Sequence, residues 1–161
     1  MGSKLDSPLS EKGRQIAAKK GDALKQAGFS PDKVYTSKLK RARETAEIIL
    51  SSLGATPTIT ELESLNERDF GRYDGQPYKY VLDAFEREGE NPETIETVDN
   101  FVRRFVAAYE DIKQSTTGTT LVVTHSNPEM VMQTAAFNPD KLQRFWELGD
   151  PAYCEGFEID L

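Results

Sequence analysis

Two hydrophobic periods alternate along the chain, and each change of period marks a new element. The densest apolar run is Leu121-Val122-Val123, preceded by Gly118 and followed by Thr124, His125, Ser126, Asn127 and Pro128. A short continuous apolar run bounded by turn residues predicts a buried, parallel strand. Pro128 then opens a helix over 129–136. Upstream, Ser10 is placed to cap a helix reaching about residue 27. Ile16, Ala17, Ala23 and Leu24 form its apolar face, and Gly28 stands at the left-handed stop. Gly13 and Gly21 weaken that helix in isolation, so it needs packing. Residues 33–36 read as a strand. Ser37 is expected to cap a helix over 38–53, whose core face is Leu39, Ala42, Ala46, Ile49 and Leu50 and whose end is Gly54. Residues 58–62 predict a further strand, 65–75 a loop, 78–87 a helix closed by Gly89, and 95–113 a long amphipathic helix. A turn at Asn138-Pro139 leads into a helical stretch ending near Trp146, and 154–161 form a candidate strand with Phe157 and Ile159 inward.

Strands alternating with helices predict one domain over 1–161, a three-layer α/β/α sandwich with a mainly parallel sheet. No repeat, low-complexity tract or interdomain linker interrupts it. Leu121, Val122 and Val123 are apolar on both faces, as in a central strand. They are expected to pair with residues 34–36 on one side and with the tail on the other, homodimerisation or strand exchange being the alternative.

The 161 residues carry a formal net charge of −7, with 37% hydrophobic and 29% charged side chains. An acidic surface opposes binding to nucleic acid or to an anionic membrane. One histidine and one cysteine give no internal disulfide and no zinc set, and neither a metal nor a cofactor is expected. With no transmembrane-length apolar run and no signal-peptide pattern, the expected location is the cytoplasm.

Three stretches carry candidate chemistry. His125 stands at the carboxyl end of a strand, where ligands bind in open α/β sheets. Ser37 to Ala46 begins a helix with Lys38, Lys40, Arg41 and Arg43 in its first turns. Such crowding is unfavourable at the positive helix end unless an anion is bound or the side chains splay into water. Arg41 is placed to hold a phosphate bidentately. Glu67, in the loop Leu65-Asn66-Glu67-Arg68-Asp69-Phe70-Gly71-Arg72-Tyr73, becomes an acid/base candidate if it shares a pocket with Arg41 and His125.

Together these stretches resemble the histidine phosphatase superfamily, the phosphoglycerate mutase-like proteins. Asp6-Ser7-Pro8-Leu9-Ser10 through Gly13 resembles the segment just downstream of that family's catalytic motif. Ser37 to Ala46 is similar to its Ser-x-x-x-Arg-Ala-x-x-Thr-Ala helix start, and Leu65 to Gly71 to the mutase pattern Leu-Asn-Glu-Arg-x-(Tyr/Phe)-Gly. Ile95-Glu96-Thr97 followed by Arg104 resembles a Gly-Glu-Ser motif and its downstream arginine, with Ile95 replacing glycine. Val123 to Asn127 resembles the second-histidine motif, with Ser126 in place of glycine.

By that resemblance Arg41 binds the transferred phosphate, Glu67 donates the proton and His125 stabilises phosphoryl oxygens, with Ser37, Arg68, Tyr73 and Asn127 as further binding candidates. The implied partner is phosphate or a phosphorylated small molecule. The family's nucleophile, a histidine in an Arg-His-Gly motif ending its first strand, has no counterpart here, since the only histidine is His125. The expected architecture is therefore a phosphoglycerate mutase-like fold without its nucleophile strand and last edge strand. Arg41, Glu67 and His125 can orient and polarise a phosphate, but phosphoenzyme chemistry needs an imidazole in line with phosphorus. The expectation is a phosphatase- or mutase-family chain with little or no turnover of its own. The alternatives are a pseudo-enzyme acting as an anion-binding or protein-interaction module, and a domain with no ligand.

Overall fold

The computed structural model describes residues 2–77, 79–81, 83, 95–149, 154–156 and 158. Its elements are α1 (Glu11–Gln26), β1 (Lys33–Ser37), α2 (Lys40–Leu53), β2 (Ile59–Leu62), α3 (Val98–Ser115), β3 (Thr120–Val123) and α4 (Ser126–Phe137). Short 3₁₀ segments add Glu63–Leu65, Gly71–Tyr73 and Pro139–Leu148, the last broken at Arg144.

The three strands form a parallel sheet in the order β2-β1-β3, with Val34 opposite Ile59 and Leu121, and Thr36 opposite Glu61 and Val123. Alternating side chains point to opposite faces of a strand, so the sheet feeds two separate cores. Val34 and Val123 pack with Ala42, Ala46 and Leu50 of α2, joined by Ile59 and Leu121. Tyr35, Leu62 and Val122 face the other way, against Phe101, Val102, Phe105, Ala108 and Ile112 of α3 and Met130 and Val131 of α4. Helices on both faces make the three-layer arrangement that the alternation of elements predicts.

Local signals set the helix ends. Ser10 Oγ accepts from the Gly13 N–H at 3.1 Å, and Thr97 Oγ1 does the same for Asn100 at 3.2 Å. Gly54 closes α2 in the left-handed conformation. At Gly21 an added Cβ would lie 2.6 Å from Ser52 Cβ and 3.1 Å from Ile49 Cα. That glycine, which weakens α1 alone, is what lets α1 lie close on α2.

Three sequence expectations change. Ser37 does not cap α2: it is the last residue of β1, and the helix begins at Lys40 after an extended Leu39 with no side-chain cap. Among the described residues β1 rather than β3 is the middle strand, and β3 pairs only with β1. In the tail, Cys154 lies in a turn at φ +57° rather than in a strand. Phe157 and Ile159 fall outside the described residues. So does most of the helix expected over 78–87, of which residues 79–81 and 83 are helical.

Candidate functional site

The parallel pairing of Thr36 with Val123 brings the carboxyl ends of β1 and β3 together. Ser37, at the end of β1, therefore meets His125, just past β3, with Oγ 2.8 Å from Nε2. The Leu39 N–H donates to the same Oγ at 3.3 Å. Burial, reinforced by the positive charges of Arg41 and Arg104, pushes the imidazole down to about 3, so it is neutral at physiological pH. His125 is also the N-cap residue of α4, its carbonyl accepting from Glu129 N–H at 2.9 Å.

Glu67 enters from the turn after β2 and is only 5% exposed. Its Oε1 accepts from the Arg68 N–H at 2.8 Å and from Asn127 Nδ2 at 3.1 Å. Burial raises this carboxyl above the usual glutamate range, although both hydrogen bonds and the charge of Arg41 pull the other way. Such a group holds its proton to higher pH than a surface glutamate does, as a proton donor must.

Arg41 is the second residue of α2. Its NH1 donates to the Leu5 carbonyl at 3.0 Å and its NH2 to the Gly2 carbonyl at 2.9 Å. These bonds lay the segment before α1 over the strand ends. Asp6 Oδ1 accepts from the Lys40 N–H at 2.6 Å and so caps α2, the role that Ser37 does not take. Asp6 is a site neighbour that sequence reasoning missed; an acidic side chain 34 positions upstream gives no local cap signal.

The basic crowd at the start of α2 divides. Lys38 pairs with Glu63 at 3.2 Å, Lys40 with Asp6 at 3.4 Å, and Arg43 with Glu47 and Glu61 at 2.9 and 2.8 Å. These three are more than half exposed, and exposed pairs of this kind contribute little. Arg41 alone turns inward, where its charge acts on both Glu67 and His125.

The structure thus brings together Ser37, Arg41, Glu67, His125 and Asn127. Arg68 is buried in the same loop, but its Nε donates to the Glu96 carbonyl at 2.9 Å and its guanidinium lies over Phe70. Tyr73 packs with Phe70, Val81 and Ile95, and its hydroxyl accepts from Arg72 NH2 at 2.9 Å.

The model for the histidine phosphatase superfamily (branch 1) covers residues 1–155. The chain belongs to that superfamily. A phosphoglycerate mutase of the 2,3-bisphosphoglycerate-dependent type from Parvibaculum lavamentivorans is 45% identical over 71 residues, 44% of this chain and 34% of that protein. The uncharacterized phosphatase PhoE of Bacillus subtilis is 34% identical over 116 residues, 70% of this chain and 55% of that protein. The chain therefore spans about a third to a half of the curated relatives it matches. Among solved structures, YhfR of Bacillus stearothermophilus superposes with a TM-score of 0.76 at 29% identity, covering 95% of this chain and 77% of that one.

Proposed function

We propose that this chain binds the phosphate group of a small phosphorylated molecule between Arg41 and His125, with Glu67 as the proton donor to the departing oxygen. The observation that carries this is convergence: Arg41, Glu67 and His125 come from three separate segments, the charge of Arg41 acts on both the carboxyl and the ring, and Ser37 and Asn127 fix the ring and the carboxyl. A guanidinium with five donors holds phosphate oxygens while two of its N–H groups serve the Gly2 and Leu5 carbonyls. The neutral imidazole adds a hydrogen-bonding partner without a second charge, and the protonated carboxyl neutralises the leaving group. The relative named for phosphoglycerate supports a phosphorylated carbon compound as the ligand class.

Turnover is a separate matter. The single histidine is held by Ser37, and nucleophilic attack on phosphorus needs an imidazole free to approach in line. These 161 residues are accordingly read as a binding unit with negligible phosphomonoesterase activity of their own. An anion-responsive interaction module is the second reading, favoured by the same tethered ring. Mixing the chain with an activated aryl phosphate separates these from an active enzyme. The expected result is no burst of aryl alcohol and hydrolysis at the background rate. A burst, or phosphohistidine trapped at His125, would overturn it.

A further inference from the structure

We propose that Glu96 and Arg104 are positioning residues for the site: their ion pair suspends the loop over residues 64–69 so that the Glu67 carboxyl is held buried against Asn127. The inference deepens the reading of Glu67 as proton donor and rests on it.

The pair is bidentate. Arg104 Nε donates to Glu96 Oε1 at 2.9 Å and NH2 to Oε2 at 2.8 Å, both side chains being about a quarter exposed or less. Each partner then spends its remaining capacity on the same loop. Arg104 NH1 donates to the carbonyls of Ser64 at 2.9 Å and Asn66 at 3.0 Å. Glu96 Oε2 accepts from the Asp69 N–H at 3.2 Å. The Glu96 backbone completes the frame: its N–H donates to the Asp69 carbonyl at 2.8 Å, and its carbonyl accepts from Arg68 Nε at 2.9 Å. Glu67 lies at the middle of this frame, gripped on both sides, while Thr124 Oγ1 ties the Leu65 carbonyl to the end of β3 at 2.7 Å.

Geometry explains why an arginine is needed. One planar fork meets a carboxylate along one edge and two carbonyls with its other nitrogen, which a lysine cannot do. Irregular backbone at a buried site needs such partners, because a loop has no ladder of its own. A rigid support around the acting group is what distinguishes a site that works from one merely present.

The test follows the Glu67 carboxyl by ¹³C NMR titration in the full chain, in the parent and in Arg104→Lys, Arg104→Met and Glu96→Gln, with folding checked by amide spectra. Releasing the loop lets the carboxyl reach water, so its titration midpoint should fall by about one unit. Loss of the Arg104 charge alone would act in the opposite direction, and Arg103→Met, an exposed neighbour, controls for net charge. A fall of more than about half a unit in the folded variants supports the clamp. A smaller fall, or a rise, overturns it. Where Arg104→Met does not fold, Arg104→Lys decides, because it keeps the charge and loses the fork, whereas Glu96→Gln also removes a negative charge that lowers the Glu67 midpoint by itself. Inorganic phosphate added to the same samples keeps the two readings apart. A parent protein that ignores phosphate loses the proposed ligand, whereas the Glu67 titration still reports on the clamp.

Discussion

Glu67 and His125 leave opposite marks on stability. Burial holds the His125 imidazole at about 3, while an unfolded histidine titrates near 6.5. Below that upper value the unfolded chain binds a proton that the folded chain refuses, so stability is lost as pH falls from about 6.5 toward 3. Replacing His125 by Asn should flatten this acid limb in thermal melts between pH 7 and 4; an unchanged slope would show that the ring is not neutral and buried. Glu67 has the other sign. Its folded carboxyl titrates above the unfolded one, so its contribution is full below the unfolded value and lost as pH rises through the folded one. Glu67→Gln should therefore raise the melting temperature at pH 8, by roughly 2–4 °C for each kcal/mol recovered, and give no gain at pH 4. Equal gains at both pH values would contradict the burial of a proton-holding carboxyl. These groups were candidates in the sequence because the carboxyl end of a parallel strand is where ligands bind in open α/β sheets, and a loop carboxyl can turn toward the same rim. Tyr73 packs on Phe70, Val81 and Ile95, a contact that no local pattern in the sequence announces. The support given by Arg104 was hidden for a related reason: its acceptors, Ser64 and Asn66, lie about forty positions upstream.

Periodicity located β1–β3 and α1–α4 to within a few residues, because each has apolar positions and a core to bury them in, whereas the 3₁₀ turns at Glu63–Leu65 and Gly71–Tyr73 carry no such period. Where an element begins is a finer matter, decided by single hydrogen bonds. Ser10 caps α1 as its position predicts, whereas Ser37 stays in β1 and gives its hydroxyl to His125. Ser10→Ala should cost about 1 kcal/mol by chemical denaturation. The conflict between propensity and packing is sharpest at Gly21. Alanine there would favour an isolated helix by about 1 kcal/mol. In the fold its Cβ would run into Ser52 and the backbone of Ile49. Overpacking of this kind costs roughly 1–3 kcal/mol, so Gly21→Ala should destabilise the protein. A higher denaturation midpoint would show that α1 and α2 are not in close contact.

Across the whole molecule the acidic balance and the basic start of α2 are reconciled by local pairing. Lys38, Lys40 and Arg43 find carboxylates at the surface, and Arg41 is left facing the site. No helix among the described residues is long and apolar enough to cross a membrane. The parallel sheet sets Ser37 and His125 side by side, and the loop after β2 delivers Glu67 to them, so the proposed phosphate site draws on three strands and their exits. Inorganic phosphate titrated into uniformly ¹⁵N-labelled chain tests this most directly. The side-chain signals of Arg41 and His125 should shift together along one binding curve with a millimolar dissociation constant, on the order of −4 kcal/mol, and Arg41→Ala should abolish the His125 shift. Signals that stay still to high phosphate, or that move independently of each other, would contradict a site shared by these two residues.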